Sequence, residues 1–150
     1  LRDNMHVEIR SMKSANTTCA SHKATITTGT LPEWVHEACQ LQLTLGNRSA
    51  HPIGIWIALV RHGTTSSSTV ILRNHATLPP GQTVTLPKFI MEKSDKIKTV
   101  IAIASIMPDS ELLSWFNAII NDAHPADHMI SRIEKSGSGF LFAQATGTRK

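Results

Sequence analysis

The sequence predicts a mainly β chain, an antiparallel β-sandwich with one or two helices inserted near its C-terminus. Three observations carry that expectation. Short runs of β-branched and other apolar residues recur along the chain, Pro- and Gly-containing turns separate them, and helical periodicity is confined to late stretches. Strands and helices do not alternate regularly, which argues against a doubly wound parallel sheet.

At 150 residues, 41% of them hydrophobic, the chain can bury the core of one compact domain. Residues 1–30 are polar and rich in Ser, Thr, Asn and Lys, with too few large apolar groups to offset the entropy of ordering them all. They are expected to form a partly mobile arm with edge strands at His6-Val7-Glu8-Ile9-Arg10 and Ala24-Thr25-Ile26-Thr27. Residues 31–150 are expected to form the β-sandwich itself, immunoglobulin-like in its short strands and turn spacing. Leu31-Pro32-Glu33-Trp34-Val35 leads into its core, because Pro fixes the chain and Trp34 brings a large apolar surface.

Cys39-Gln40-Leu41-Gln42-Leu43-Thr44-Leu45 alternates with period two, so Cys39, Leu41, Leu43 and Leu45 share one face of a half-buried strand. After a turn at Gly46 to Pro52, Ile53-Gly54-Ile55-Trp56-Ile57-Ala58-Leu59-Val60 is apolar at nearly every position. That run predicts a central strand covered on both faces. Arg61 to Ser68 reads as an exposed hairpin tip and Thr69 to Arg73 as the returning strand. Pro79-Pro80-Gly81-Gln82 has Pro and Gly where a type II turn wants them, and feeds a short strand at Thr83 to Leu86.

Met91 to Lys98 is charged and expected to be exposed, and Thr99 to Ile106 is a second central strand. Pro108-Asp109-Ser110-Glu111 is a helix start with Asp109 or Ser110 as N-cap. Leu112, Leu113, Trp115, Phe116, Ile119 and Ile120 then recur at helical spacing up to a stop near Asp122. Ala126 to Lys135 reads as a second short helix, Ser136-Gly137-Ser138-Gly139 as a flexible joint, Phe140 to Thr146 as the last strand and Gly147 to Lys150 as a frayed tail.

The net charge is +4, but the densest basic cluster, Lys88, Lys93, Lys96 and Lys98, is broken by Glu92 and Asp95. Without a basic stripe interleaved with aromatic residues, nucleic acid is not an expected partner. No apolar run approaches the roughly 20 residues of a membrane-spanning helix, and no signal segment opens the sequence at Leu1. The chain is expected to be soluble, and a processed or excised piece.

Two cysteines, Cys19 and Cys39, are too few for a disulfide framework or a four-cysteine zinc site. Two readings stay open: a Cys19–Cys39 bridge pinning the N-terminal arm in an oxidising, periplasmic or secreted compartment, or two reduced thiols. Asn16-Thr17-Thr18 and Asn47-Arg48-Ser49 match the glycosylation sequon, a pattern short enough to arise by chance.

No residue set makes a convincing reactive site. His124 and His128 are four apart with Asp122 and Asp127 nearby, but no third ligand is identifiable and eight histidines make a chance pair common. Cys39 follows His36-Glu37-Ala38, yet lacks the Gln and Gly that flank caspase-type nucleophiles, and His62-Gly63 comes after it instead of before. Ser136-Gly137-Ser138-Gly139 lacks the leading Gly of a nucleophile elbow, and no phosphate-binding or dinucleotide-binding glycine loop occurs. Asp109 and Glu111 suit helix capping, and Trp56 and Trp115 suit core packing. No catalytic, cofactor-binding or metal-binding residue is therefore assigned.

Ile53 to Val60, Val70 to Leu72, Leu78-Pro79-Pro80-Gly81-Gln82, Thr83 to Pro87 and Val100-Ile101-Ala102-Ile103-Ala104-Ser105 together resemble a bacterial family. It is the β-sandwich domain of unknown function often appended C-terminally to caspase-like peptidase or protein-kinase domains. The chain departs from it in lacking the aromatic residues common along the first strand. The resemblance implies a non-catalytic accessory module that binds a protein partner in a bacterial envelope, secretion or effector system. The alternatives are a self-assembling secretion or pilus subunit using the N-terminal arm, and a small metal-dependent hydrolase using His124 and His128. Oligomeric state and partner are left open by the sequence.

Overall fold

The computed structural model describes residues 2–12, 21–27, 29–62, 68–90, 99–106, 110–121 and 127–145. They form ten strands and two helices: β1 (Met5–Ser11), β2 (His22–Thr25), β3 (Gly29–Leu31), β4 (Gln40–Asn47), β5 (Ile53–His62), β6 (Ser68–Leu78), β7 (Thr83–Thr85), β8 (Phe89–Ile90), β9 (Thr99–Ser105), α1 (Ser110–Asn121), α2 (Asp127–Lys135) and β10 (Gly139–Ala145). The mainly β expectation is met. Two five-stranded sheets result, one in the order β2-β1-β4-β7 with β8 also on β4, the other in the order β3-β10-β9-β5-β6. Every pairing is antiparallel except that of β3 with β10.

Strand periodicity decides what each face buries. In the first sheet, Met5, Val7 and Ile9 of β1 and Leu41, Leu43 and Leu45 of β4 point inward. In the second sheet, Ile53, Ile55, Ile57 and Leu59 of β5, Val100, Ala102 and Ala104 of β9, and Leu141 and Ala143 of β10 join the same buried cluster. The two sheets thus share one core. The opposite face of the second sheet buries Trp56, Ala58, Val60, Ile101, Ile103 and Phe140 in a second cluster, against Leu112, Phe116, Ile119 and Ile120 of α1 and Ile133 of α2. Helix α1 lies on β5 and β6, and α2 on β10. This second layer is why β5 and β9 are apolar at consecutive positions.

The Pro79-Pro80-Gly81-Gln82 turn carries the chain from β6 to β7, and so from one sheet to the other. Gly81 has φ +74° and the Gln82 N–H donates to the Pro79 carbonyl at 3.2 Å, the geometry of a type II turn. Close approach of neighbouring side chains is also met at Gly46 of β4. A Cβ there would meet Thr83 Cγ2 at 3.2 Å and His6 Cβ at 3.3 Å, tight contacts for a paired sheet.

Several expectations are revised. His6 to Arg10 is not an edge, because β1 pairs with β2 on one side and β4 on the other. The edges of that sheet are β2, whose residues are largely exposed, and on the far side of β4 the short strands β7 and β8. The returning strand does not stop at Arg73 but runs to Leu78, paired residue by residue from Ile53↔Leu78 to His62↔Ser68. A register shift between Leu59 and Val60 leaves Ile71 as the extra residue of a bulge.

The Ser136-Gly137-Ser138-Gly139 joint is an ordered helix cap. Gly137 has φ +83°, its N–H donates to the Glu134 carbonyl at 3.1 Å, and the Ser138 N–H donates to the Ile133 carbonyl at 3.3 Å. Those two bonds define a Schellman motif closing α2. Asp109 and the 91–98 and 147–150 segments lie outside the described residues.

Candidate functional site

Three places on this scaffold concentrate unsatisfied or convergent chemistry: the outer edge at β6, a polar cleft at the start of β1, and the solvent face of the first sheet. The β6 edge is the longest. It spans 11 residues at the end of the second sheet, with β5 on one side and no strand among the described residues on the other. A terminal strand leaves alternate main-chain N–H and C=O groups without partners in the sheet.

Beside that edge, on the helix side, a shallow groove of about 460 Å³ runs between β6 and α1. Trp56 of β5 is its floor, Arg73 and His75 of β6 form one wall and Leu113 of α1 the other. Register explains the assembly, since Trp56 pairs with His75 and Ala58 with Arg73. The Trp56 and His75 rings stack at 4.6 Å between centroids, and the Arg73 guanidinium lies over the Phe116 ring at 5.6 Å. Both contacts hold long side chains in place while leaving His75 and Arg73 exposed. Leu113, expected on the buried face of α1, is instead 38% exposed at this groove. Trp56, read as core, is indeed nearly buried, but it also supplies the groove floor.

On the outer face of the first sheet, Glu8 is approached by His6 at 3.9 Å, Arg10 at 3.8 Å and Lys23 at 3.9 Å. Cross-strand registers Glu8↔Thr25 and Arg10↔Lys23 align these groups on one face. Ion pairs this long, with the Arg10 and Lys23 ends in solvent, add little stability each. His6 is the exception in charge state. Burial pushes its pKa below the usual 6.5, the nearby Arg48 adds to the depression, and Glu8 only partly opposes it.

The residues singled out from sequence fare unevenly. Cys39, half-buried ahead of β4, is disulfide-bonded and so is no free nucleophile. Cys19 lies outside the described residues. Asp122 and His124 also lie outside them, as do the side chains of His36, His62, Asp127 and His128. Among the described residues no group of three or more His, Cys, Asp or Glu side chains could hold a metal ion.

Asn47, read from sequence as a turn residue and part of a sequon, is a structural node, 1% exposed. Its Nδ2 donates to the His51 carbonyl at 2.7 Å and to the Leu78 carbonyl at 2.9 Å, while Oδ1 accepts from the Ser49 N–H at 2.8 Å. Its own N–H donates to the Gln82 carbonyl and its carbonyl accepts from the Gly81 N–H. Both amide hydrogens are committed, which leaves no glycan acceptor at Asn47 in the folded chain. Asn16-Thr17-Thr18 lies outside the described residues.

No protein-family model, curated protein or solved structure gave a match to this chain.

Proposed function

We propose that this chain is a non-catalytic protein-binding module on an immunoglobulin-like β-sandwich, and that β6 is where an extended segment of a partner adds as a further strand. The observation that carries the reading is the 11-residue edge with a groove alongside it. Main-chain pairing supplies affinity in strand addition, and pockets for alternate side chains supply specificity. On β6 the helix-side positions around the groove are Arg73, His75 and Thr77, with no acid among them. A segment carrying Asp or Glu at alternate positions complements that face.

An accessory module of this kind agrees with the family resemblance carried by Ile53 to Ser105, and with a place in a bacterial envelope, secretion or effector system. The disulfide at Cys39 favours an oxidising, periplasmic or secreted setting. Cys19 is the chain's only other cysteine, which makes it the intramolecular partner we assign. Self-assembly through residues 1–30 has less to draw on, because β1 is already paired on both sides and the β2 edge offers four residues against the eleven of β6. A metal-dependent hydrolase draws no support from the described residues.

Panning a random heptapeptide display library on the folded chain tests the reading. Enriched peptides are expected to carry acidic residues two apart, and Arg73→Glu is expected to weaken them about tenfold at an unchanged melting temperature. Absence of enrichment, or equal binding to Arg73→Glu, would contradict it.

A further inference from the structure

A second site, remote in sequence from β6, lies where β1 begins. Here the Arg48 N–H donates to the Asn4 carbonyl at 2.8 Å, and the Ile26 N–H donates to the Val7 carbonyl at 2.8 Å. These two bonds draw the turn after β4 and the segment after β2 against the start of β1. The result is a cleft of about 550 Å³ reaching the seam between the two sheets. Its size falls within the range of small-molecule sites.

The lining divides sharply by chemistry. Met5, Ile26 and Leu141 are buried to at least about nine-tenths and supply apolar wall, Leu141 from the second sheet and Met5 from the first. Asp3 and Arg48 stand exposed at the rim. Neither makes an ion pair with another described residue. Thr25 and Thr27 line the cleft as well, and His6 completes it.

We propose that this cleft binds a small zwitterion with an apolar body, of the class of a free aliphatic amino acid. The carboxylate pairs with the Arg48 guanidinium, the ammonium with the Asp3 carboxylate, and the aliphatic chain rests on Met5, Ile26 and Leu141. A guanidinium is suited to hold a carboxylate through two parallel hydrogen bonds. Opposite charges on one rim disfavour a simple anion or a simple cation, since each meets a like charge as well as a partner. His6 supports the arrangement, because burial and Arg48 keep its ring neutral at neutral pH and so no second cation competes for the ligand carboxylate. This inference is independent of strand addition at β6.

The experiment is a heteronuclear NMR titration of the full chain with three probes of matched carbon skeleton: L-leucine, 4-methylpentanoate, which lacks the amine, and isoamylamine, which lacks the carboxylate. Leucine is expected to bind with millimolar affinity, shifting the amides of Met5, His6, Ile26, Thr27, Arg48 and Leu141, and to bind about tenfold more tightly than either single-charge probe. Arg48→Gln should bring leucine down to the level of isoamylamine, and Asp3→Asn to the level of 4-methylpentanoate. Both variants change exposed side chains, and unchanged amide dispersion verifies their folding. Equal affinity for the three probes, shifts elsewhere on the surface, or no shifts at saturating leucine would overturn the proposal, whatever the outcome of peptide panning.

Discussion

Asn47 ties three parts of this molecule together, since its side chain and backbone reach the 47–52 turn, the end of β6 and the β6–β7 turn at once. Removing it leaves the buried Leu78 carbonyl without that donor, and an unsatisfied buried polar group costs about 1–3 kcal/mol. Asn47→Ala is therefore expected to lose about 2–4 kcal/mol in urea unfolding, with several hydrogen bonds lost together. Asn47→Asp should lose more, because an oxygen replaces the donating Nδ2 and a charge enters a site 1% exposed. If the Asp variant is as stable as wild type, the assignment of Nδ2 toward those two carbonyls is wrong.

His6 gives a pH dependence whose sign follows from its depressed pKa. Well above 6.5 the ring is neutral in both the folded and the unfolded chain, and the fold keeps its full stability. As pH falls through 6.5 the unfolded chain takes up the proton first, so stability is lost until the lower folded pKa is passed. Arg48 and Lys23 deepen that loss and Glu8 lessens it. His6→Gln is expected to flatten the fall in melting temperature between about pH 7.5 and 5. A steeper fall in the variant would contradict the account. None of this was legible in the sequence, where His6 stood as one polar residue on a presumed edge; its burial depends on β1 being an inner strand, which only long-range pairing with β4 decides.

At the scale of elements, short-range pattern carries part of the fold. The alternation of Leu41, Leu43 and Leu45 and the unbroken apolar runs of β5 and β9 follow from short-range periodicity, as does the turn at Pro80-Gly81. Two stretches depart from what their composition suggests, each for its own reason. Asn74-His75-Ala76-Thr77 looks like loop by composition, yet it continues β6, because an edge strand with one solvated face needs few apolar residues. Likewise Gly137 reads as flexible, yet its positive φ is what the Schellman cap requires.

Gly81 allows a test confined to backbone preference, since nothing lies within 4 Å of a Cβ placed there while its φ is +74°. Gly81→Val is expected to cost about 1–3 kcal/mol through strain alone, and Gly81→Asn markedly less because Asn tolerates that region. Equal melting temperatures for the two variants would remove strain as the cause.

For the whole molecule, the layering explains the composition. One sheet has a core face and a solvent face, while the other is enclosed between its partner sheet and the two helices, so among the described residues it meets solvent chiefly at its edge strands β3 and β6. That arrangement draws attention to β6 and was beyond reach of the sequence, which signals strands but not their order. It also makes the bridge we assign between Cys19 and Cys39 a tether of the N-terminal segment to the start of β4. Thiol titration should find no reactive thiol in the oxidised chain and two after reduction, with the monomer mass kept on a non-reducing gel. Reduction should lower stability by roughly 2–4 kcal/mol. A disulfide-linked dimer would refute the intramolecular pairing.

The central claim, that β6 is an open edge to which a partner strand adds, is most directly tested by residue-resolved amide hydrogen exchange of the chain alone and with a panned peptide. Alternate amides of β6 should exchange fast in the free chain and slow on binding, with β2 and β3 unchanged. Uniform protection of β6 in the free chain, or no change there when the peptide is bound, would contradict the account.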